Sequence, residues 1–244
     1  MTTARWAWLG RVPYDATATL QERLRAHVQA GTAPETLLLL EHDPVITLGR
    51  SADPAHVLAP AGLLAARGIA VARTVRGGDV TYHGTGQLVG YPIVRLRGGV
   101  VAHMKAMADA LCTVLAAHGV AARFRRDAPG LWVDNPAAGG AAEKICAFGV
   151  HVQRRVSIHG FALNVTTDLD AFRLIVPCGL PDARVTSMER LGAAPPSVES
   201  LAAAVARALS DTFGIDFARV PATAIDPHAA HDDRSQPAAT TIAS

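Results

Sequence analysis

The 244-residue sequence lacks several features that mark common protein classes. It has only three cysteines, an odd number at wide spacings, which argues against a disulfide framework and for reduced thiols in a reducing compartment. No apolar run reaches the roughly 18 uninterrupted residues that a membrane span needs. The first residues, MTTARWAWLGRVPYD, also lack the long apolar segment of a secretory signal. We therefore expect a cytoplasmic protein.

An excess of charge of one sign is absent as well. The formal net charge is +2, and no block of basic residues with interleaved aromatics is present, so nucleic-acid binding is not expected. The chain before residue 221 is mildly basic, which suits an acidic protein partner. The hydrophobic content of 50% indicates a globular protein with a substantial core.

Lysine is nearly absent. Of the 23 basic residues, 21 are arginine, and only Lys105 and Lys144 are lysine. Arginine stays protonated in proteins, whereas a buried lysine can exchange a proton, which is a chemical reason to keep one. The alternative is that both lysines lie on the surface and remain in the sequence by chance. The helix predicted at 101–118 has an apolar stripe made of Val101, Met104, Ala108, Leu111, Leu115 and His118. Lys105 lies off this stripe and is expected to be solvated, so Lys144 is the lysine that needs an explanation.

Hydrophobic periodicity predicts both helices and strands. Helices are predicted at about residues 16–30, 60–67, 101–118 and 198–213. Strands are predicted at 6–9, 36–40, 45–48, 69–74 and 88–96, and in the segments ARFRR, LWVD, KICAFGVHV and SIHGFALNV. Because strands outnumber helices and do not alternate with them, we expect an α+β fold with a largely antiparallel sheet. Residues 1–220 are predicted to form one domain, and residues 221–244, which lack periodicity, a disordered tail.

Specific residues are expected to set the ends of two helices. Asp15 and Ser197 are placed as N-caps of the first and last helix. Gly31 and Gly214 are placed where these helices end, since glycine readily adopts the left-handed conformation that closes a helix.

The glycine-rich segment RGGDVTYHGTGQ, residues 76–87, is the densest candidate for chemistry. Its four glycines let the backbone approach a ligand closely, and Arg76 and His83 add polar groups. It lacks the Gly-Lys-Ser/Thr of a phosphate-binding loop and does not lead into a helix as a dinucleotide fingerprint does. A structural turn between strands is the alternative.

Two further segments carry cysteines. Residues two apart in a strand share a face, so Lys144 and Cys146 in EKICAFG are expected to point the same way. Cys178 follows Pro177 in VPCGLPD, a short loop outside any periodic pattern. Loop cysteines are more often reactive than core cysteines.

Taken in order, four motifs closely resemble those of the octanoyltransferases that use an acyl carrier protein in lipoate synthesis: RGGDVTYHGTGQ, KICAFGVHVQRRVSIHGFALNV, PCG and TSM. The earlier EHDPVITLGRSADPAHVL is also similar to that family, and the resemblance covers most of residues 5–215. It implies the fold of the catalytic domain of biotin and lipoate protein ligases, a mixed sheet with packed helices.

The resemblance also implies a reaction. An octanoyl or lipoyl group moves from acyl carrier protein to a lysine of a lipoyl domain, in 2-oxoacid dehydrogenases or in the H protein of glycine cleavage, as the first step of endogenous protein lipoylation. No cofactor and no ATP are expected. Exchange of one thioester for another changes the free energy little, and conversion of a thioester into an amide lowers the free energy. A metal is not expected either, since the histidines and cysteines lack a close ligand pair.

By the same resemblance, Cys178 of PCG carries the acyl thioester, and Lys144 is its catalytic partner. The substrate-binding residues that carry over are Arg76, Gly77, Gly78, Asp79, Val80, Thr81, Tyr82, His83, Ala147, Phe148, Gly149, Gly160, Phe161 and Ala162.

Elementary chemistry is consistent with these roles. A thiol with a pKa of roughly 8.5 is only a few per cent thiolate at neutral pH, so a nearby ammonium that lowers the pKa activates it. A deprotonated Lys144 can then accept a proton from the attacking amine. An arginine could lower the pKa of the thiol, but it could not accept the proton from the amine.

Two residues depart from the family pattern. Thr85 stands where proline is usual in HGPG, and Cys146 stands where a small residue is usual. Cys146 is either a packing substitute or a second thiol that forms an inhibitory disulfide with Cys178. His83 and His159 are either acid–base groups or hydrogen-bonded structural residues.

Three other functions remain open at this point. The first is an ATP-dependent lipoate or biotin ligase on the same fold, which would not need Cys178. The second is a non-catalytic protein that binds acyl carrier protein, and the third is a thioester hydrolase.

Overall fold

The computed structural model describes residues 4–134, 141–177 and 184–225. The α-helices in these ranges are α1 (Tyr14–Ala30), α2 (Ala61–Ala66), α3 (Val100–Ala117) and α4 (Val198–Phe213). The strands are β1 (Ala4–Val12), β2 (Thr36–His42), β3 (Val45–Leu48), β4 (Ala70–Arg73), β5 (Val80–His83), β6 (Gln87–Ile93), β7 (Arg123–Arg125), β8 (Gly130–Asp134), β9 (Ala142–Gln153), β10 (Val156–Asn164), β11 (Arg184–Val185) and β12 (Phe217–Arg219).

The strands form one large sheet and one small sheet. The large sheet has the order β12-β1-β2-β6-β10-β9-β8-β7, with β11 also pairing with β9, and the small sheet has the order β4-β3-β5. In the large sheet, β12, β1 and β2 are parallel neighbours and β11 is parallel to β9, whereas the other pairs are antiparallel. The prediction of an α+β fold with a mixed, largely antiparallel sheet is confirmed.

Strand β2 shows why the large sheet needs helices on both faces. Its four consecutive leucines are each 0% exposed. Leu37 and Leu39 pack with residues of α3 and α4, whereas Leu38 and Leu40 pack with residues of α1. An unbroken apolar run is the pattern expected of a strand that is buried on both sides. Each fully buried leucine contributes about 1.5–3 kcal/mol of transfer free energy.

The predicted bounds of the last helix match the structure, whereas the predicted start of the first helix does not. In α4, the Ser197 Oγ accepts the Ser200 N–H at 3.2 Å, and Gly214 is left-handed with φ 60°. Helix α1 begins at Tyr14 after Pro13, so Asp15 lies inside the first turn and the prediction that it is the N-cap was wrong. The Thr17 N–H already bonds the Pro13 carbonyl oxygen at 3.4 Å, which starts the helix earlier.

The apolar stripe predicted along α3 is buried at Ala108, Leu111 and Leu115, as expected. In the first turn the prediction was wrong, because Val101 is 41% exposed and His103 is buried instead. The helix is long and apolar enough to cross a membrane by length and composition, but its apolar side is packed with α4 in the main core. Lys105 is solvated as expected, and its Nζ donates to the carboxylate of Asp109 at 2.7 and 2.9 Å.

The packed domain extends further than residue 220. Residues 222–224 form a short 3₁₀ turn, and Ile225 is buried in the core beneath α1. The Arg5 guanidinium donates to the Ala224 carbonyl oxygen at 2.9 Å. The start of the predicted disordered tail is therefore packed on the domain, and residues 226–244 lie outside the described residues.

Candidate active site

A cavity of about 370 Å³ lies between the glycine-rich loop and strands β9 and β10. Twelve of the fourteen residues expected to bind substrate line it: Arg76, Gly77, Gly78, Asp79, Thr81, His83, Ala147, Phe148, Gly149, Gly160, Phe161 and Ala162. Lys144 lines it as well. The cavity thus joins the glycine-rich segment to β9, although the nearest lining residues of the two, His83 and Lys144, are 61 positions apart in the sequence.

The other two expected residues lie elsewhere because the glycine-rich segment contains a strand. Thr81 and His83 of β5 face the cavity, whereas Val80 and Tyr82 alternate to the opposite side and pack in the core of the small sheet. The alternative reading of the whole segment as a turn between strands was wrong, since β5 pairs with β3 over four residues.

Small residues form the floor of the cavity. Gly149 pairs with Gly160, and Ala147 with Ala162, in the β9–β10 ladder. A Cβ on Gly160 would lie 2.3 Å from the Gly90 carbonyl oxygen on the neighbouring strand β6. Only glycine fits there, because real Cβ atoms do not approach backbone oxygens so closely.

Arg76 anchors the loop that covers this floor. Its guanidinium is buried and donates to the Thr47 carbonyl oxygen at 2.6 Å and to the Thr47 hydroxyl at 2.8 and 3.1 Å. The Gly77 N–H donates to the Val150 carbonyl oxygen at 3.1 Å. A Cβ on Gly149 would lie 3.0 Å from the Gly77 carbonyl oxygen, so loop and strand touch at this point.

Lys144 is 5% exposed, which is rare for a lysine. Its Nζ lies 3.4 Å from the Pro129 carbonyl oxygen and 5.0 Å from the centre of the Trp132 ring. It also borders a second, small cavity together with Pro177, the residue that precedes Cys178. The lysine singled out by its rarity is therefore a buried residue of the site, unlike Lys105.

A β-bulge corrects the expectation for Cys146. Between β8 and β9, Leu131 pairs with Cys146 and the next residue, Trp132, pairs with Lys144, so Ile145 is the extra residue. The bulge turns Cys146 into the main core with Ile145, while Lys144 faces the cavity. The prediction that Lys144 and Cys146 share a face was wrong, because the strand period of two is interrupted between them.

The surroundings of Cys146 fit packing rather than chemistry. The side chain is 1% exposed, and burial raises the pKa of the thiol. Cys178 lies outside the described residues, so the expected thioester position and a disulfide with Cys146 stay predictions. The shared strand face that motivated the disulfide is not present.

A buried polar cluster of two tyrosines and three histidines lies beside the cavity. The residues Tyr14, His42, His83, Tyr91 and His159 form successive ring contacts with centroids 5.3–6.3 Å apart. All except His42 line the cavity. The sequence pattern pointed to His83 and His159 only, since Tyr14 opens a helix and Tyr91 lies in an apolar strand, with no local signal of a site.

Burial keeps these histidines neutral. It lowers the pKa of His42 to about 4 and that of His159 to about 3, and the Arg76 charge lowers the pKa of His159 further. The pKa of His83 is also lowered well below its usual value, first by burial and then by His42 and Arg76. The His42 Nδ1–H donates to the Val12 carbonyl oxygen at 3.0 Å, so its Nε2 accepts the Tyr91 hydroxyl at 2.7 Å.

Both nitrogens of His83 have partners within the protein. Its Nδ1–H donates to the Gln87 Oε1 at 2.7 Å, and its Nε2 lies 3.4 Å from the Thr47 hydroxyl that Arg76 also contacts. This pattern favours the structural alternative for His83. His159 has a left-handed φ of 59° and an Nε2 3.3 Å from the Thr74 hydroxyl. Such a backbone is uncommon outside glycine and is often found near functional sites.

Metal ligands do not come together in the part of the chain that the structure describes. No group of three or more histidine, cysteine, aspartate or glutamate side chains could hold an ion there.

The fold and cavity define a mixed-sheet domain with a buried lysine at its candidate active site, and comparison with known proteins gives the family. The family model of the lipoyl protein ligase A/B catalytic domain matches residues 13–210. An octanoyltransferase from Chloroflexus aurantiacus is 44% identical over 226 residues, which cover 91% of this chain and 97% of that protein. The chain belongs to the lipoyl protein ligase A/B catalytic-domain family.

Solved structures share the fold at lower identity. A lipoate-protein ligase A bound with ATP matches with a TM-score of 0.73 and 22% identity, over 94% of this chain and 93% of that chain. A bipartite lipoate protein ligase from Thermoplasma acidophilum matches with a TM-score of 0.71 and 20% identity, over 94% and 91% of the two chains. The expectation of a lipoate-ligase-like fold is confirmed.

Proposed function

We propose that this protein is an acyltransferase of protein lipoylation, which moves an octanoyl group from the thioester of acyl carrier protein to a lysine of a lipoyl domain. The observation that carries the proposal is the placement of Lys144. One of only two lysines is buried at a cavity with a floor of small residues, and it lines a second, small cavity together with Pro177, the residue that precedes Cys178. The similarity to octanoyltransferases at 44% identity supports the substrate class.

The first half-reaction forms an acyl-enzyme. The Cys178 thiolate attacks the carbonyl carbon of the donor thioester, a new C–S bond forms, and the bond to the pantetheine sulfur breaks. The departing thiolate takes a proton from Lys144. An ammonium close to Cys178 also increases the thiolate fraction.

The second half-reaction forms the amide. The amine of the acceptor lysine attacks the Cys178 thioester, the C–S bond breaks, and the cysteine leaves as a thiolate. Lys144, now neutral, accepts the proton that the amine loses. The enzyme returns to its starting protonation state without a nucleotide.

The cavity suits a medium-length acyl chain. Ala147, Gly149, Gly160 and Ala162 leave room along β9 and β10, and Phe148 and Phe161 add apolar walls. Burial of six methylenes at about 0.8 kcal/mol each contributes up to about 5 kcal/mol of selective binding.

Intact-protein mass spectrometry tests the acyl-enzyme. The wild type, Cys178→Ala and Cys146→Ala are mixed with octanoyl-acyl carrier protein without ATP. We expect one hydroxylamine-labile octanoyl adduct on the wild type and on Cys146→Ala, and none on Cys178→Ala. An adduct retained in Cys178→Ala would overturn the assignment of the nucleophile. Transfer that needs ATP and free octanoate would instead establish a ligase.

A second experiment tests the proton acceptor. Lys144→Arg keeps the positive charge and removes the group that exchanges a proton, whereas Lys105→Arg is the matched control on the solvated helix surface. We expect Lys144→Arg to lose transfer to a lipoyl domain and Lys105→Arg to keep it. Near wild-type transfer by Lys144→Arg would refute the acid–base role.

A further inference from the structure

His56 and Asp79 form a close side-chain pair at the edge of the site. The His56 Nδ1 lies 2.6 Å from the Asp79 Oδ2, and both side chains are mostly shielded from solvent. His56 belongs to a short 3₁₀ turn after β3, and Asp79 belongs to the glycine-rich loop. Neither residue is a neighbour of the other in sequence, so the pair joins two separate segments.

Both carboxylate oxygens of Asp79 have a partner in the protein. Its Oδ1 accepts the Val80 N–H at 2.7 Å, while its Oδ2 faces His56. The carboxylate therefore holds the beginning of β5 and the His56 ring together. The side chain of Asp79 is thus held within the protein, as those of Arg76 and His83 are by their own partners.

The backbone of the same turn holds the chain that leads to Cys178. The His56 carbonyl oxygen accepts the Val176 N–H at 2.8 Å. The Leu174 carbonyl oxygen accepts the Leu58 and Ala59 N–H groups at 2.9 and 3.2 Å. These bonds fix the segment up to Pro177, which borders the small cavity beside Lys144.

We propose that His56 and Asp79 are a positioning pair that fixes the glycine-rich substrate loop relative to the segment that precedes Cys178. His56 is the central residue, since its ring holds the loop and its carbonyl oxygen holds the segment. The proposal rests on the proposed function for its kinetic consequence, but the contact itself does not depend on the reaction.

The expected consequence is a loss of alignment rather than of binding. The apolar floor of the cavity stays intact when the pair is broken, so the acyl group still binds. The reacting atoms, however, are held less accurately, and a misplacement of about 1 Å costs on the order of 100-fold in rate. A fall in kcat with little change in KM is the signature of such a defect.

The experiment compares His56→Ala, His56→Asn, Asp79→Asn and the control Asp53→Ala. Asp53 caps the same turn by accepting the Ala55 N–H at 2.9 Å, so its loss reports on general loosening of the turn. The asparagine amide in His56→Asn can donate to Asp79 as the imidazole Nδ1–H does. Octanoyl transfer and hydrogen exchange of the Val80 and Val176 amides are measured for each variant.

We expect His56→Ala and Asp79→Asn to lower kcat by roughly 10- to 100-fold with KM for the acyl donor within about threefold. His56→Asn is expected to recover part of kcat, and Asp53→Ala to stay within about twofold of wild type. The Val80 amide is expected to exchange roughly tenfold faster in His56→Ala.

Several results would overturn the proposal: an unchanged kcat in His56→Ala, an equal loss in Asp53→Ala, or unchanged exchange at Val80 in His56→Ala. A wild-type protein that does not transfer octanoyl groups would refute the proposed function instead. In that case the exchange measurements still decide whether the pair holds the loop.

Discussion

Burial of a neutral His103 side chain between α3 and α4 is expected to make the fold less stable in mild acid, because the unfolded chain binds a proton there that the folded chain does not. The imidazole is 6% exposed and stacks on Phe213 at the end of α4, with ring centroids 5.1 Å apart and planes 4° from parallel. Its Nε2 is buried without a hydrogen-bond partner in the described structure. Burial lowers the pKa of His103 to about 4.

The sign and size of the effect follow from proton linkage. The unfolded chain binds a proton at His103 below a pKa of about 6.5, whereas the folded chain does so only below about 4. The free energy of unfolding therefore falls as the pH drops through this window and levels off below it. From these two values, the loss due to His103 is about 2 kcal/mol at pH 5 and close to zero at pH 7.5.

Urea denaturation of the wild type and His103→Leu at both pH values measures this contribution. The variant removes the titrating group and fills the site with an apolar side chain of similar size. We expect the stability of the variant relative to wild type to rise by about 2 kcal/mol between pH 7.5 and pH 5. His118→Leu, at the more exposed end of the same helix, controls for the loss of one histidine. If the difference between His103→Leu and wild type stays constant with pH, the linkage argument is wrong.

Three further substitutions, the first with a control variant, test local contributions to stability. Gly90→Ala would place a Cβ 2.1 Å from the Phe161 Cζ, so we expect a loss of about 1–3 kcal/mol in urea denaturation. The control Gly62→Ala, inside α2, meets open space and should be well tolerated. Ser197→Ala removes the hydrogen bond to the first turn of α4 and should cost about 1 kcal/mol, measured by thermal unfolding; an unchanged Tm would show that the cap contributes nothing. Cys146→Ala should cost about 1 kcal/mol of stability and keep octanoyl transfer; loss of transfer at unchanged stability would mean that Cys146 takes part in the reaction.

The bulge at Ile145 also affects how the site works. It places a buried lysine on the cavity side of β9 and a buried thiol on the core side, although only one residue separates them. The Cys146 thiol is thereby shielded from the acyl group, and burial raises its pKa.

Much of the architecture is local and could be predicted from the sequence. Helix α4 carries its own cap residue, its own terminating glycine and a regular apolar face, so its bounds follow from Ser197 and Gly214 without knowledge of its neighbours. The segments that line the cavity could also be named, because glycines, Arg76 and Lys144 are unusual against the rest of the chain.

The remaining features depend on contacts between distant segments. The bulge that separates Lys144 from Cys146 exists only in the pairing of β9 with β8, and strand periodicity alone therefore gave the wrong face for Cys146. The inclusion of Tyr14 and Tyr91 in the site, and the pairing of His56 with Asp79, also required the folded chain. Strands β5, β11 and β12 were not predicted from the sequence. By itself the sequence determined the helices, the other strands and which residue types can react, because these are properties of local spacing and of side-chain chemistry. Only the tertiary structure decided which of those side chains face one another, because a single extra residue in a strand reverses the face of those that follow.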